Sequence, residues 1–540
     1  MNILSLHQGH DGAVTILSGN EIVVHHQLDR FNGHKHQSMS TPSLFEKIKN
    51  LNLKFDRIIT TSIGTNDPIT KDLFLKHFGN ESKIIDIGQS QHHIFHAVCA
   101  KHFFQLKKDF VIIVADGGGA IEPFQHESKY LNGVELMENE SIYDENSILF
   151  QKFSSHVRTT LALVNFETPN IKIHPSVSLG GGYTNLVYEL GLDYAEEGKA
   201  MALSSHGKLK KQIFKSLIDK DVWSSSLLRH TVLNGTDPKN KFNRFMLDPS
   251  IDHLKKGSQS LDFVHSFQKA FEYLFLNTLK KIDIKNKKII LTGGCAQNVL
   301  NNSNISRKLP NEILVDPYNG DFGISLGSAI RFSEEKIKPL RHICSGFSVK
   351  YDLSSFSNFT IRKNITPSYV AKILIDETVG IFSGKSEQGQ RGLGFRSLLA
   401  NPLKDKNIEN LNFIKKREWY RPFACTVLKE KAKKYFDMGN INESPYMMFV
   451  FKCRDKKLKN VCSVDGYSRI QTLDKNFHPK YYQLIKAFER VSGYPIILNT
   501  SLNLPGSVLC EDYEDLYNFF KESNLNYCYL PDTNELICRN

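Results

Sequence analysis

The sequence predicts an α/β chain of two domains, the first of them internally duplicated. Three observations predict it. Short apolar runs that end in glycine turns alternate with helix-compatible stretches over residues 1–330, the alternation that builds sheets covered by helices. One design, an apolar strand followed by an acidic glycine turn, occurs twice, in NILSLHQGHDGA and in DFVIIVADGGGA. Near residues 335–360, charged, Ser and Gly residues interrupt the periodicity and mark a domain boundary.

In chain order, residues 1–26 read as a hairpin: NILSL is a strand, HQGHDGA a tight turn, VTIL a second strand, and Gly19-Asn20 turns into EIVVHH. His10 and Asp11 sit in the first turn, Asp29-Arg30 and Lys35-His36 follow the hairpin, and FDRIITTSI is a further strand. The stretch from His92 to Gly119 carries the most chemistry. His92 and His96 stand four apart in a helix-compatible segment, which puts both imidazoles on one face, as a metal ion requires. The buried-strand run VIIVA then ends in Asp116 and three glycines, and Gly117 and Gly118 expose bare backbone suited to phosphate. Half-buried helix histidines and an ordinary Asp-Gly turn would read the same way. The repeated strand-and-turn design suggests a duplicated domain with a nucleotide between its halves, as in actin-like folds.

Residues 171–207 are rich in glycine, with Gly180, Gly181 and Gly182 opening a helix and Glu197-Gly198-Lys199 preceding another. Glycines before a helix start expose amides that suit phosphate. Residues 261–281 form an amphipathic helix, and KKIILTGG followed by CAQNVLNN is a strand–glycine–helix step common to nucleotide sites. Asn298 and Asn302 could face a ligand there or simply cap the helix. EILVDP is a strand, and Asp321 follows between glycines in YNGDFGISLGSAI. Beyond the boundary, Arg391, Arg396, Arg417, Arg421 and Arg469 all stand within two residues of glycine, proline or aromatic residues. Guanidinium forks in such settings read as clamps for anionic ligands rather than as solvated surface charge.

Composition narrows the class. The 540 residues, 40% hydrophobic, suffice for packed cores. Nine cysteines without a CxxC pair point to reduced thiols and a cytoplasmic protein. No apolar run approaches the ~20 residues that span a bilayer, and His and Asp come too early for a signal peptide; no membrane association is expected. The net charge of +12 favours a polyanionic partner, although clusters such as KIDIKNKK, DPKNKFNR and HLKK are short.

Taken together, GHDGAV, HHIFHA, VADGGG, EEGKAMALSSHG, TGGCAQNVLNN, NGDFGISLGSA, SEQGQRGLGFRSLLANP, KKREWYRPFA, SPYM, VDGYSRIQ and ILNTSLNLPG resemble, in order and over nearly the whole chain, the O-carbamoyltransferases of the nodulation and antibiotic-tailoring type. The resemblance implies an actin-like N-terminal domain, similar to the tRNA threonylcarbamoyl transferase, over residues 1–345. It implies a YrdC-like α/β domain over residues 346–540. The second domain would make carbamoyl-adenylate from carbamoyl phosphate and ATP (with Mg), and the first would pass the carbamoyl group to an acceptor hydroxyl. Matched position by position, His92, His96, Asp116 and Asp321 are the metal ligands, with Fe(II) expected and Zn or Mn also compatible with the set. Glu197, Lys199, Gly293, Gly294 and Asn298 would line the adenylate. Arg391, Arg396, Lys415, Arg417, Arg469, Asn499 and Ser501 would form the carbamoyl phosphate and ATP site.

His10, with Asp11 and Lys35, is the candidate catalytic group, His10 accepting the hydroxyl proton; a structural turn histidine is the alternative. The sequence departs from the family at Gln390 and Gly392, where GPRALG is usual, at Ser463, where a histidine is, and at Pro505 and Ser507, where arginine and glutamate are. The charge favours an acceptor such as a hydroxymethylated pyrimidine in DNA or a nucleotide. A sugar or antibiotic hydroxyl, tRNA threonylcarbamoyl transfer and a nucleotide-binding regulatory role are the competing readings. A homodimer is compatible with all of them.

Overall fold

The computed structural model describes residues 1–33, 35–36, 41–62, 77, 83–125, 127, 131–154, 156–157, 160–161, 166–174, 178–193, 195–218, 259–340 and 342–540. The basic clusters at 237–244 and 253–256 lie outside the described residues.

The chain opens as the expected meander. β1 (Asn2–Gln8), β2 (Ala13–Ser18) and β3 (Glu21–Gln27) pair antiparallel, with Asn2 opposite Ser18 and His7 opposite Ala13. α1 (Pro42–Lys49) starts with Thr41 capping the Leu44 amide and Pro42 in its first turn. It lays Leu44, Phe45 and Ile48 over Leu4, Leu6, Val14 and Ile16. With β4 (Arg57–Ser62) and β5 (Lys83–Gly88), the strand order is β3-β2-β1-β4-β5.

The next stretch repeats that order. α2 (His92–Phe104) leads into β6 (Phe110–Ala115), buried along its whole length. β7 (Glu135–Tyr143) pairs with β6 antiparallel and strand 148–154 pairs with β7 antiparallel, while β8 (Lys288–Thr292) joins the other side of β6 in parallel, followed by strand 313–315. The run 148–154, β7, β6, β8, 313–315 therefore matches β3-β2-β1-β4-β5 strand for strand. The similarity of the two acidic glycine turns reflects a repeated topology. Short strands at 121–123, 166–167 and 171–174 extend this second sheet to eight strands. Its helices are α3 (Leu179–Glu189), α4 (Glu197–Ser204), α5 (Gln259–Leu279), α6 (Val299–Lys308) and α7 (Phe322–Arg331). α7 lies against α2 so closely that a Cβ on Gly327 would stand 2.0 Å from the Phe95 carbonyl oxygen. Any side chain there would force the two helices apart.

The C-terminal part is a ten-stranded mixed sheet. Its centre runs β9 (Val379–Phe382), β10 (Arg396–Ala400), β14 (Ile496–Ser501), β11 (Ala424–Leu428), β13 (Tyr467–Leu473) and β12 (Val450–Cys453), in that spatial order. α8 (Pro367–Ile373) and α10 (Pro479–Ser492) cover one face, with Val370, Leu374, Leu484, Ile485 and Phe488 in the core. α9 (Asp405–Lys415) and α11 (Tyr513–Glu522) complete the helices used below. All nine cysteines are free thiols. Among the described residues no helix is long and apolar enough to cross a membrane.

By compactness the chain forms two units, residues 1–60, 67–85 and 332–540 in one, and 61–66 and 86–331 in the other. The first sheet is thus compact with the C-terminal sheet. The bonds responsible include Gln27 N–H to Gln388 Oε1 (2.9 Å), Gly389 N–H to Gln27 Oε1 (2.9 Å) and His25 N–H to the Ser345 carbonyl (2.8 Å).

Three histidines of this unit are buried in the neutral form: burial pushes His25 to about 3, His26 to about 4 and His478 to about 3. Below pH 6.5 the unfolded chain takes up protons at these positions and the folded chain does not, so stability falls on acidification, by about 4 kcal/mol per pH unit for the three together. Asp316, lifted by burial to about 6, works in the opposite sense and offsets about 1.4 kcal/mol per unit over part of that range. Urea unfolding midpoints should therefore drop steeply between pH 6.5 and 4.5; a flat profile there would show that these imidazoles are protonated in the fold.

Candidate metal centre and anion site

In the second unit, four side chains from three places in the chain converge. His92 and His96 lie on the first turns of α2, Asp116 follows β6, and Asp321 precedes α7. His92 Nε2 is 3.3 Å from Asp116 Oδ2 and 3.7 Å from Asp321 Oδ1; His96 Nε2 is 3.2 Å and 3.7 Å from the same atoms. Donors on a tetrahedron with ~2.1 Å bonds sit about 3.4 Å apart, so the spacing is that of ligands around one ion. The fit does not rest on spacing alone. His96 Nε2 is buried without a well-directed hydrogen bond, and Asp116 Oδ1 accepts from the Gly117 amide at 2.6 Å, which leaves Oδ2 for the histidines. Burial works against charge on His96, but the Asp116 and Asp321 carboxylates outweigh it and raise the imidazole to about 9. The two carboxylates draw positive charge into the cluster, and a divalent cation supplies it without a buried imidazolium.

Three glycines from two separate motifs crowd this strand end. A Cβ on Gly180 or Gly293 would come within 2.6 or 2.4 Å of the Asp116 or Ala115 backbone, and one on Gly294 within 2.8 Å of Asp116 Oδ1. Gly293 also holds φ +80, so it is required for both reasons. Read from sequence as phosphate loops, Gly180, Gly293 and Gly294 pack against the Asp116 turn. Around Gly117 a Cβ would meet nothing within 4 Å, whereas Gly118 is against Met137.

Of the expected adenylate residues, Glu197 begins α4 and accepts from Thr184 Oγ1 at 3.0 Å, and Lys199 pairs with Glu196 one turn away. Asn298 takes the capping alternative. Its Oδ1 accepts from the Asn301 amide and Gln268 Nε2, and its Nδ2 donates to Gln268 Oε1.

In the first unit the arginines divide into two kinds. Arg391, Arg417, Arg421 and Arg469 gather in one place. Burial first, then the neighbouring guanidinium groups, lower Arg391 to about 10, Arg417 to about 9, and Arg469 well below its usual range. The carboxylate seen against the group is Glu418, 3.0 Å from Arg421. Arg417 donates to the Arg421 and Pro422 carbonyls and stacks on Phe423, while the buried Nε of Arg391 and of Arg469 finds no hydrogen-bond partner among the described residues. Like charges held together in a desolvated pocket call for an anion.

Arg396 is of the other kind. It is fully buried, and all five of its N–H groups donate to main-chain carbonyls: Nε to Cys510, Nη1 to Ser383 and Phe395, Nη2 to Gly384 and Glu511, at 2.6–3.1 Å. Its guanidinium also lies 3.5 Å above the Phe382 ring. With every donor engaged, it ties these segments together. Lys415 is likewise engaged, its ammonium donating to the Ser501 and Asn503 carbonyls and to Asn503 Oδ1. Ser501 Oγ bonds Asn503 Oδ1, and Asn499 Nδ2 bonds Thr426 and Gln471 inside the sheet. These three residues brace the 499–503 segment.

The N-terminal turn brings in a residue not selected from the sequence. Asp11, at φ 51, receives His36 Nδ1 at 2.6 Å, His10 Nε2 lies 3.5 Å from its other oxygen, and the His10 and His36 rings stack at 5.1 Å. Burial opposes charge on His36, but the Asp11 hydrogen bond overcomes it and raises the imidazole. The pair is a charge-assisted hydrogen bond. Gln390, where the family usually has proline, donates its amide to Asp11 Oδ2 at 3.3 Å. Lys35 is close enough to Lys415 to help depress it, after burial. Separated by 25 residues, Asp11 and His36 share no periodicity that would have paired them in the sequence.

The family descriptions for the carbamoyltransferase N-terminus and C-terminus match residues 82–330 and 370–535. The chain belongs to the carbamoyltransferase family and is a carbamoyltransferase. It is 26% identical to an uncharacterised protein of Methanocaldococcus jannaschii over 96% of both chains. It is 27% identical to nodulation protein NolNO of Sinorhizobium fredii over 88% of this chain and 68% of that one. It is 28% identical to nodulation protein U of Bradyrhizobium diazoefficiens over 46% of each. Among solved structures, component A of an Acidaminococcus fermentans (R)-2-hydroxyglutaryl-CoA dehydratase aligns over 61% of this chain and 97% of that one, with a TM-score of 0.31 and 14% identity; so slight a likeness carries no argument.

Equilibrium dialysis against Fe(II) or Zn(II) should find about one tight ion per chain through the His92–His96–Asp116–Asp321 set, with His96→Ala and Asp321→Asn each weakening it by at least about 10-fold. Unchanged binding in both variants would refute the assignment.

Proposed function

We propose that residues 346–540 convert carbamoyl phosphate, ATP and water to carbamoyl-adenylate, phosphate and pyrophosphate, and that residues 1–345 transfer the carbamoyl group to an acceptor hydroxyl. The gathering of Arg391, Arg417, Arg421 and Arg469, with Glu418 against Arg421, carries this reading. Carbamoyl phosphate and a triphosphate are dense anions, and guanidinium forks fixed before the ligand arrives stabilise them without reorganising. Magnesium would accompany the ATP.

In the transfer step, His10 accepts the proton of the attacking hydroxyl, and the Asp11–His36 pair holds the turn that presents it. A divalent ion at His92, His96, Asp116 and Asp321, expected to be iron, would stabilise negative charge on an oxygen of the reacting group. The Gly117 backbone, with open space where a Cβ would stand, suits a phosphate oxygen. For the acceptor, the net charge of +12 supports a hydroxymethylated pyrimidine in DNA or a nucleotide. A cytoplasmic location belongs to the same reading.

Arg469→Ala should lower carbamoyl phosphate-dependent pyrophosphate release by about 10²–10³-fold while leaving the melting temperature near that of the parent. Arg396→Ala, by contrast, should lower the melting temperature first. An Arg469→Ala enzyme with full pyrophosphate release would sink the anion-site reading. Mass spectrometry of acceptors after incubation should show one added carbamoyl group, and modification of hydroxymethylated DNA should fall steeply with salt. Product on free sugars or nucleosides alone, indifferent to salt, would exclude DNA.

A further inference from the structure

The loop that carries Arg391 into the arginine group also reaches the N-terminal turn. Gln27, the last residue of β3, donates its N–H to Gln388 Oε1 and accepts the Gly389 N–H on its own Oε1, both at 2.9 Å. The Gln388 amide donates in turn to the Ile343 carbonyl at 3.0 Å. Gln390 therefore starts from backbone that is tied to the end of the first sheet. From there its half-buried side chain brings Nε2 to 3.3 Å from Asp11 Oδ2. A carboxylate has no proton to give, so it is the amide nitrogen that must face it.

Asp11 is buried at φ 51 in the turn between β1 and β2, and the Leu28 amide ties that turn to the end of β3 through the Gly12 carbonyl at 2.9 Å. Its two oxygens meet three groups. Oδ1 receives His36 Nδ1 at 2.6 Å, while Oδ2 has Gln390 Nε2 at 3.3 Å and His10 Nε2 at 3.5 Å. The last torsion of an aspartate is broad, so a bond to one oxygen alone leaves the other able to swing. A second bond, to Oδ2, fixes the plane of the group and keeps that oxygen within reach of His10, the arrangement in which a carboxylate orients a general base. An amide suits the task because it donates without carrying charge. A lysine or arginine in its place would compete with His10 for the carboxylate. We propose that Gln390 is a positioning residue for carbamoyl transfer, its amide holding the Asp11 carboxylate that orients His10; this rests on the reading of His10 as the group that takes the hydroxyl proton.

One loop then serves both steps through neighbouring residues, Arg391 where pyrophosphate is released and Gln390 where the carbamoyl group is transferred. The bonds from Gln27 do not involve the Gln390 side chain, so changing that side chain leaves the loop and Arg391 in place.

The test compares the full-length wild type with Gln390→Met, which keeps the length and removes the donor, and Gln390→Glu, which keeps the shape and sets a second carboxylate against Asp11. With carbamoyl phosphate and ATP, pyrophosphate release is measured without an acceptor. Single-turnover carbamoyl transfer is then followed by mass spectrometry on three probes: a duplex bearing 5-hydroxymethylcytosine, 5-hydroxymethylcytidine and methyl glucoside. On the probe that the wild type modifies, the transfer rate should fall about 10-fold in Gln390→Met and further in Gln390→Glu, where like charges meet. The acceptor concentration giving half the maximal rate, pyrophosphate release and the melting temperature should stay near those of the wild type, the signature of an interaction used only in the transfer step. Wild-type transfer rates in both variants would overturn the proposal. So would a parallel loss of pyrophosphate release and melting temperature, which would make Gln390 a structural joint. A wild type that modifies none of the three probes would instead overturn the transfer reading itself, and this proposal with it.

Discussion

A guanidinium taken out of water must spend its donors, and in this protein that constraint sorts one arginine from another. Arg396 spends all five on carbonyls drawn from 383–384, 395 and 510–511, so that one side chain joins β9, β10 and the approach to α11. Leaving such a charge unmatched in the interior costs several kcal/mol, so the segments it binds cannot drift apart cheaply. Arg391, Arg417, Arg421 and Arg469 are the opposite case. They are crowded, Arg391, Arg417 and Arg469 are desolvated, and among the described residues the carboxylate against the group is Glu418, paired with Arg421, a state that an anion close by would stabilise. Fold and site on this half of the chain are two answers to one electrostatic demand.

The second unit answers the same demand with the signs arranged differently. Asp116 and Asp321 meet two buried imidazoles, and the strand end that carries Asp116 is packed by glycines from two other motifs. Close backbone packing fixes where the carboxylate points, and Gly327 lets α7 approach α2 until their donors share one centre. The metal set depends on glycines as much as on histidines.

Much of this was legible in the sequence, and particular residues show why. The run VIIVA reads as a buried strand because β6 has neighbours on both sides and covered faces, and the repeated acidic glycine turn foretold the repeated strand order. His92 and His96 share a helix face at any four-residue spacing. Their partnership with Asp321 came from resemblance, since nothing local links a helix at 92–104 to a turn at 319–321. Asn298 could be a ligand or a cap, and only the Gln268 side chain from a different helix decided for the cap.

By itself the sequence determined the element types, the glycine turns, the family and the presence of many arginines in non-helical settings. These depend on local preference and on motifs in a fixed order. Only the tertiary structure decided which arginines remain available and which histidine backs Asp11. Arg396 and Arg469 have the same kinds of neighbours in sequence. What separates them is whether carbonyls from distant segments have already taken the donors, and that is set when the strands pack.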